Sequence, residues 1–196
     1  MKQKLAIFLS GSGSNARNIC DYFKKHEFIE VALLLSNKEN SGAKVIGEEF
    51  GIPYFIFNKE QFYHSDFVID KLSHYQITTI ILAGFLWLIP ENLLDKYPNH
   101  IINIHPALLP KYGGKGMHGI HVHQSVFDNK ETKSGITIHL CNKDYDKGEV
   151  LFQAEVDINE KDTTETIAKK VLELEHLYFP RVIEECLSVE NKNADE

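Results

Sequence analysis

LAIFLSGSGSNA, residues 5–16, joins a short apolar run to a glycine-rich turn. An apolar run without alternation is typical of a strand buried on both faces. The same kind of run recurs along the chain, alternating with amphipathic segments, at 31–36, 54–57, 79–85, 100–105, 136–141 and 150–158. This repeated order predicts an α/β fold with one doubly wound, mostly parallel sheet and helices on both faces. Ligands of such sheets bind at the carboxyl ends of the strands.

Segments between these runs have the apolar period of helices. Residues 15–25 and 43–50 each place apolar side chains about 3.6 residues apart. The last helix is predicted to begin with Asp162 as its N-cap, because Glu165 follows three residues later. Pro180 is expected to kink this helix or to end its first half.

Length and charge restrict the class of protein. The chain has 196 residues, which suits one well-buried domain, predicted at 1–189 and followed by a polar tail at 190–196. Its 21 basic and 28 acidic residues give a net charge of −7, so a nucleic-acid partner is not expected.

Cysteine usage and hydropathy indicate the compartment. Cys20, Cys141 and Cys186 form no Cys-x-x-Cys pair, so they are interpreted as reduced thiols. The first apolar run is too short for a signal peptide. The longest one, residues 80–90, is well short of the roughly 20 residues that span a membrane. A cytoplasmic protein without a membrane partner is expected.

The first candidate site is Gly11-Ser12-Gly13-Ser14-Asn15, which opens the first helix. Glycines let the backbone approach a ligand, and the free N–H groups at a helix N-terminus suit a phosphate. A branched side chain at Gly13 is accordingly expected to obstruct that ligand. A plain tight turn is the simpler alternative. A dinucleotide site would also require an acidic residue after the second strand, and Ser36-Asn37-Lys38 has none.

The second candidate is Asn103-Ile104-His105-Pro106, at the end of the fifth apolar run. Side chains alternate along a strand, so Asn103 and His105 are expected on the same face near its carboxyl end. Imidazole exchanges protons near neutral pH, and an amide can hold a developing oxyanion; together they suit acyl or formyl transfer. The alternative is a histidine that only binds backbone.

The third candidate is Asp144-Tyr145-Asp146-Lys147-Gly148, between the last two runs. Asp and Gly are typical of turns, where the carboxylate usually binds its own backbone. A carboxylate on such a loop could instead pair with the imidazolium of His105 and raise its pKa.

The histidines at 118–123 and the ring of Trp87 suggest a metal site and a pocket wall, respectively. His118 and His121 could share a helix face, but His123 would not, and no Cys or acidic cluster completes a zinc site. No metal is therefore expected. Trp87 is expected to be a wall of a pocket or of the core, because its ring offers a large apolar area.

Five segments and their order resemble the folate-dependent phosphoribosylglycinamide formyltransferases. They are the Gly-Ser-Asn loop, LAGFLWLIP, NIHPALLPKYGG, ITIH and DYDKG. The similarity runs from about Leu5 to Pro180. Its specific part is Asn103-x-His105-Pro106 with Leu108-Leu109-Pro110, followed later by Asp146. The resemblance implies a Rossmann-like formyltransferase fold and no resident cofactor beyond the co-substrate 10-formyltetrahydrofolate.

The resemblance also implies residue roles. Asn103, His105 and Asp146 would be catalytic. The first loop would bind the ribonucleotide phosphate and Glu175 its ribose. The pterin pocket would be formed by Asn103 and two short segments, which comprise Leu86, Trp87, Leu88, Ile89, Asn142, Lys143, Asp144, Tyr145 and Asp146. Two positions depart from the family. Its members often carry Arg at the position of Trp87 and a polar residue at the position of Leu172. The family has a basic residue that meets the glutamate tail of the folate. Lys59 is the nearest basic candidate for it in this chain, and Gln61 is the residue at that position when the sequences are aligned without gaps.

The implied reaction is formyl transfer from 10-formyltetrahydrofolate to the amine of glycinamide ribonucleotide, in purine synthesis, by a monomer or homodimer. A formyltetrahydrofolate hydrolase and a sugar-nucleotide N-formyltransferase are the alternatives. The first would normally carry a domain before Leu5, and the second usually lacks the early glycine loop. A methionyl-tRNA formyltransferase would need a basic extension. A non-catalytic nucleotide-binding module would leave the three catalytic candidates unexplained.

Overall fold

The computed structural model describes residues 2–144 and 146–193. All seven apolar runs are strands of one sheet: β1 Gln3–Leu9, β2 Ile29–Ser36, β3 Tyr54–Ile56, β4 Thr79–Leu82, β5 Ile101–His105, β6 Lys133–Leu140 and β7 Val150–Asp157. The helices are α1 Ser14–Phe23, α2 Ala43–Phe50, α3 Lys59–Tyr63, α4 Phe67–His74, α5 Glu91–Lys96, α6 Ile120–Asp128 and α7 Thr164–Asn193. Among these described helices, none is long and apolar enough to cross a membrane.

The strand order is β3-β2-β1-β4-β5-β6-β7. The pairs from β3 to β5 are parallel, and β6 and β7 are added antiparallel. The predicted doubly wound, mostly parallel sheet is confirmed. The chain leaves β1 toward β2 and later returns to its other side at β4, so the strand order reverses there. A crevice is expected at the carboxyl ends of the strands beside such a reversal.

Alternation along β1 divides the core into two layers. Ile7 and Leu9 pack on the face covered by α1 and α7, whereas Ala6 and Phe8 pack on the face covered by α3, α4 and α5. All four side chains are fully buried. A strand that is covered on both sides cannot alternate between polar and apolar residues, which explains the unbroken apolar run in the sequence.

The start of α7 differs from the prediction. The helix begins at Thr164, so the residue before it, Thr163, stands at the N-cap and its hydroxyl accepts a hydrogen bond from the Thr166 N–H at 3.3 Å. Asp162 lies one residue further out, where its carboxylate accepts from the Asn159 N–H and binds Lys170 at 2.6 Å.

Pro180 does not end α7, which continues to Asn193. Proline has no N–H for the carbonyl four residues earlier. That carbonyl, of His176, accepts a hydrogen bond from the Asn18 side chain of α1 at 2.8 Å. The predicted polar tail at 190–196 is therefore helical as far as Asn193, and its last three residues lie outside the described part.

Candidate active site

A cavity of about 650 Å³ opens at the carboxyl edge of the sheet. The end of β5, the loops after β4, β5 and β6, and one face of α7 enclose it. Most of the residues implied by the sequence resemblance line this cavity: Asn15, Leu86, Trp87, Leu88, Ile89, Asn103, His105, Asn142, Asp144, Asp146 and Glu175. Lys143 is exposed and is not part of the lining, and Tyr145 lies outside the described residues.

Antiparallel pairing of β5 with β6 builds the centre of the site. The register places His139 directly opposite Asn103, and the loop after β6 returns Asp146 to the same point. One carboxylate oxygen, Oδ1 of Asp146, lies 3.6 Å from Nδ1 of His105 and 3.6 Å from Nε2 of His139. The three predicted catalytic side chains therefore converge, together with a histidine that the sequence interpretation had not selected.

His139 fixes the orientation of the Asn103 amide. Nδ1 of His139 lies 2.9 Å from the carbonyl oxygen of Leu140, which can only accept, so this nitrogen carries the proton. When the ring is neutral, Nε2 of His139 is the acceptor for a hydrogen bond from Nδ2 of Asn103 at 3.0 Å. The amide keeps a second N–H, which is available to a ligand in the cavity.

His105 is buried, with 4% of its surface exposed. Its Nε2 donates to the Tyr112 carbonyl oxygen at 2.7 Å, so its other ring nitrogen faces Asp146. Burial lowers the pKa of His105 below its ordinary value of 6.5, and this outweighs the opposing effects of Asp146 and the Tyr112 carbonyl. The prediction of a raised pKa is wrong, because it counted the neighbouring charge and not the loss of water. With its pKa below 6.5, the imidazole of His105 is mostly neutral at pH 7.

Asp146 is held in an unusual backbone conformation, with φ at +54°. Asp tolerates this region better than most residues. Its Oδ2 accepts a hydrogen bond from the Gly114 N–H at 2.8 Å, so the carboxylate bridges two loops instead of capping its own turn. Burial acts to raise the pKa of Asp146, but His139, His105 and the Gly114 N–H hold it below its ordinary value.

The glycine loop contributes to the cavity through one side chain. Asn15, in the first turn of α1, donates from Nδ2 to Oε2 of Glu175 on α7 at 2.7 Å. Burial raises the pKa of Glu175. Oδ1 of Asn15 is buried and has no hydrogen-bond partner among the described residues. Gly11 to Ser14 are not among the lining residues.

The expectation for Gly13 needs correction. A Cβ added there would lie 2.7 Å from both Leu9 and Ile46, and φ is +81°. Its missing side chain therefore points into the core, and a substitution would disrupt the packing before it met a ligand. Gly11 is different, because nothing lies within 4 Å of a Cβ added there.

Trp87 is both a cavity wall and part of an aromatic cluster. Its ring centroid is 6.0 Å from that of Phe57 and 5.8 Å from that of Phe62. Nζ of Lys59 lies 6.0 Å from the centre of the Trp87 ring. The loop that carries this wall is tied to β1, because the Leu86 N–H donates to the Ser10 hydroxyl at 3.1 Å.

Three histidines that line the cavity, His118, His123 and His139, were missed as site residues. His139 ends the ITIH run and lies two residues after Thr137. This alternation of polar side chains on one face of the strand was the signal in the sequence that could have identified it. His123 was considered only as a zinc ligand. It is buried on α6, and burial lowers its pKa to about 4. Within the described ranges, no group of three His, Cys, Asp or Glu residues is arranged to hold a metal ion.

Fold and site together define a class: a doubly wound α/β protein with an amide, an imidazole and a carboxylate at the carboxyl edge of its sheet. These are the types of group that transfer protons and bind oxyanions in enzymes. Comparison with known proteins agrees with this class. The profile described as formyl transferase matches residues 3–183. The chain belongs to the formyl transferase family.

Two curated relatives and one solved structure carry the same name. Phosphoribosylglycinamide formyltransferase of Bacillus subtilis is 36% identical over 199 residues, which cover 97% of each chain. The chloroplastic protein of that name from Arabidopsis thaliana is 40% identical over 188 residues, or 93% of this chain. The crystal structure of the Bacillus halodurans protein superposes with a TM-score of 0.85 at 32% identity, covering 95% of this chain and 96% of that one. The chain spans 64% of the length of the Arabidopsis relative.

Proposed function

We propose that this protein transfers the formyl group of 10-formyltetrahydrofolate to the amine of glycinamide ribonucleotide, as a step of purine synthesis. The observation that carries the proposal is the convergence of Asn103, His105 and Asp146 in one cavity. The Asn15–Glu175 pair on one side suits a ribonucleotide, and the apolar wall at Leu86–Ile89 suits a pterin. The names of the relatives support the same reaction.

The reaction is direct transfer. The substrate amine attacks the formyl carbon, a new C–N bond forms, and the bond from that carbon to N10 of the folate breaks. The formyl oxygen carries negative charge in the tetrahedral intermediate. The free N–H of the Asn103 amide stabilises that charge.

One proton must pass from the attacking amine to N10. Neutral His105 suits this transfer, because Nε2 is already committed to Tyr112 and its other nitrogen can accept the proton. The imidazolium so formed lies beside the Asp146 carboxylate, which stabilises it. Returning the proton to N10 restores the neutral site, so no covalent enzyme adduct is required. The cytoplasmic location and the monomer or homodimer stay predictions.

One assay tests the reaction. Purified protein is incubated with 10-formyltetrahydrofolate and glycinamide ribonucleotide, while deformylated folate is followed by absorbance and the formylated ribonucleotide by mass spectrometry. The two products are expected in equal amounts. Folate release without the ribonucleotide would instead identify a hydrolase, and formylation of an amino-sugar nucleotide alone would identify the sugar-nucleotide enzyme.

Gly11 provides a test of the phosphate loop. We expect Gly11→Val to raise the KM for the ribonucleotide by roughly tenfold or more, because the branched side chain occupies open space on the loop and weakens phosphate contacts worth about 1.5–3 kcal/mol. The KM for the folate and the melting temperature are expected to change little. Equal increases in both KM values would contradict a phosphate site at this loop.

A further inference from the structure

The charges around the cavity are unbalanced for a phosphorylated substrate. Three acidic residues line it, Asp144, Asp146 and Glu175. Among the described lining residues, Lys115 is the only Lys or Arg. A phosphate monoester carries between one and two negative charges at neutral pH. A ribonucleotide in this cavity would therefore meet one permanent cation, the ammonium group of Lys115.

The backbone around Lys115 is specialised. Gly114 has φ of +95° and Gly116 has φ of +88°, a region that side-chain-bearing residues rarely adopt. Nothing lies within 4 Å of a Cβ added at either glycine, so backbone conformation and not close packing requires glycine there. The two glycines set the path of the chain that carries Lys115 along the cavity.

The Lys115 loop is also connected to the catalytic centre. The Gly114 N–H donates to Oδ2 of Asp146 at 2.8 Å. Lys115 itself has no carboxylate partner within the described ranges, and its side chain is exposed. The ammonium group is therefore not neutralised by the protein.

Two cations on the helices beside the cavity already have carboxylate partners. Arg17 of α1 pairs with Glu49, and Lys170 of α7 pairs with Asp162 at 2.6 Å. On the cavity face of α7, the lining position next to Val171 is the apolar Leu172. The helix therefore presents no cation to the cavity at that position.

We infer that Lys115 binds the phosphate of the ribonucleotide substrate, across the cavity from Asn15, the residue of the glycine loop that lines the same cavity. The inference rests on the proposed function. It assigns the charge-compensating role to the loop after β5 and not to α7. It also places the phosphate contact one residue from Gly114, whose N–H holds Asp146.

The test compares two lysines of the same loop. Lys115→Met is expected to raise the KM for glycinamide ribonucleotide roughly 10- to 100-fold, the loss of a charge-assisted hydrogen bond, with a much smaller change in kcat and in the KM for folate. Lys111→Met is the matched control. Lys111 pairs with Glu131 at 2.9 Å and does not line the cavity, so this variant is expected to keep both KM values. Lys115→Arg should restore most of the lost affinity.

A dephosphorylated substrate separates a phosphate contact from a general disturbance of the loop. In the wild-type protein, glycinamide ribonucleoside should react with lower kcat/KM than the ribonucleotide. The penalty is the ratio of kcat/KM for the ribonucleotide to kcat/KM for the ribonucleoside. In Lys115→Met this ratio should fall by about the same factor as kcat/KM for the ribonucleotide. An unchanged penalty, or an increase confined to the KM for folate, overturns the inference.

A measurement with inorganic phosphate tests the inference without depending on activity. Phosphate is expected to raise the melting temperature of the wild-type protein and of Lys111→Met, and to have a clearly smaller effect on Lys115→Met. Equal stabilisation of all three proteins overturns the inference. If the wild-type protein does not formylate the ribonucleotide, the proposed function fails, and this phosphate comparison still decides whether Lys115 binds the anion.

Discussion

Replacing Asn103 with alanine is expected to lower kcat about 10²- to 10³-fold, the usual cost of removing one oxyanion donor. The amide has one N–H committed to His139 and a second that faces the cavity, and alanine provides neither. Because the amide acts on the transition state, KM values should change far less than kcat. Steady-state kinetics with both substrates, on protein of normal melting temperature, is the measurement.

A second variant shows whether His139 acts through Asn103. His139→Ala removes the acceptor that orients the amide, so it should lower kcat by a smaller factor. In the double variant the two losses should not add, since residues that act as one unit are not independent. Near-normal turnover of Asn103→Ala would contradict the oxyanion assignment, and fully additive losses would show that His139 has a separate role.

Replacing Asp146 with asparagine is expected to lower kcat by roughly 10²- to 10⁴-fold, the range for general acid–base catalysis. Burial already places the pKa of His105 below 6.5, and the Asp146 carboxylate is the main opposing charge. Removing that charge lowers the pKa further and destabilises the imidazolium that forms during the reaction. The acid limb of the kcat/KM profile should therefore move to lower pH.

Asparagine preserves the structural contacts of Asp146. Its side-chain oxygen can still accept from the Gly114 N–H, and Asn tolerates a positive φ as well as Asp does. Asp144→Asn is the matched control, since Asp144 lines the same cavity on the same loop and its carboxylate pairs, among the described residues, with Lys147 at 3.9 Å and not with a histidine. It should leave the pH profile unchanged. A profile that is the same in Asp146→Asn and the wild-type protein would refute the pairing with His105.

Features that depend on local periodicity could be predicted from the sequence. A strand buried on both faces must be apolar throughout, so all seven strands were located from their composition. Side chains two residues apart on a strand share a face, and this alone placed Asn103 beside His105. The predicted N-cap of α7, Asp162, was one residue too early, because the position of an N-cap depends on a single turn of backbone.

The sequence by itself therefore determined the doubly wound fold, the carboxyl edge as the place of chemistry, and Asn103 and His105 as partners. Only the tertiary structure decided which distant residues complete the site. Pairing of β5 with β6 placed His139 against Asn103, and the contact with Gly114 placed Asp146 near His105. Burial reversed the expected pKa shift of His105, and packing against Leu9 and Ile46 turned Gly13 toward the core. These effects depend on which segments exclude water from a given atom, and that is set by contacts between residues far apart in the chain.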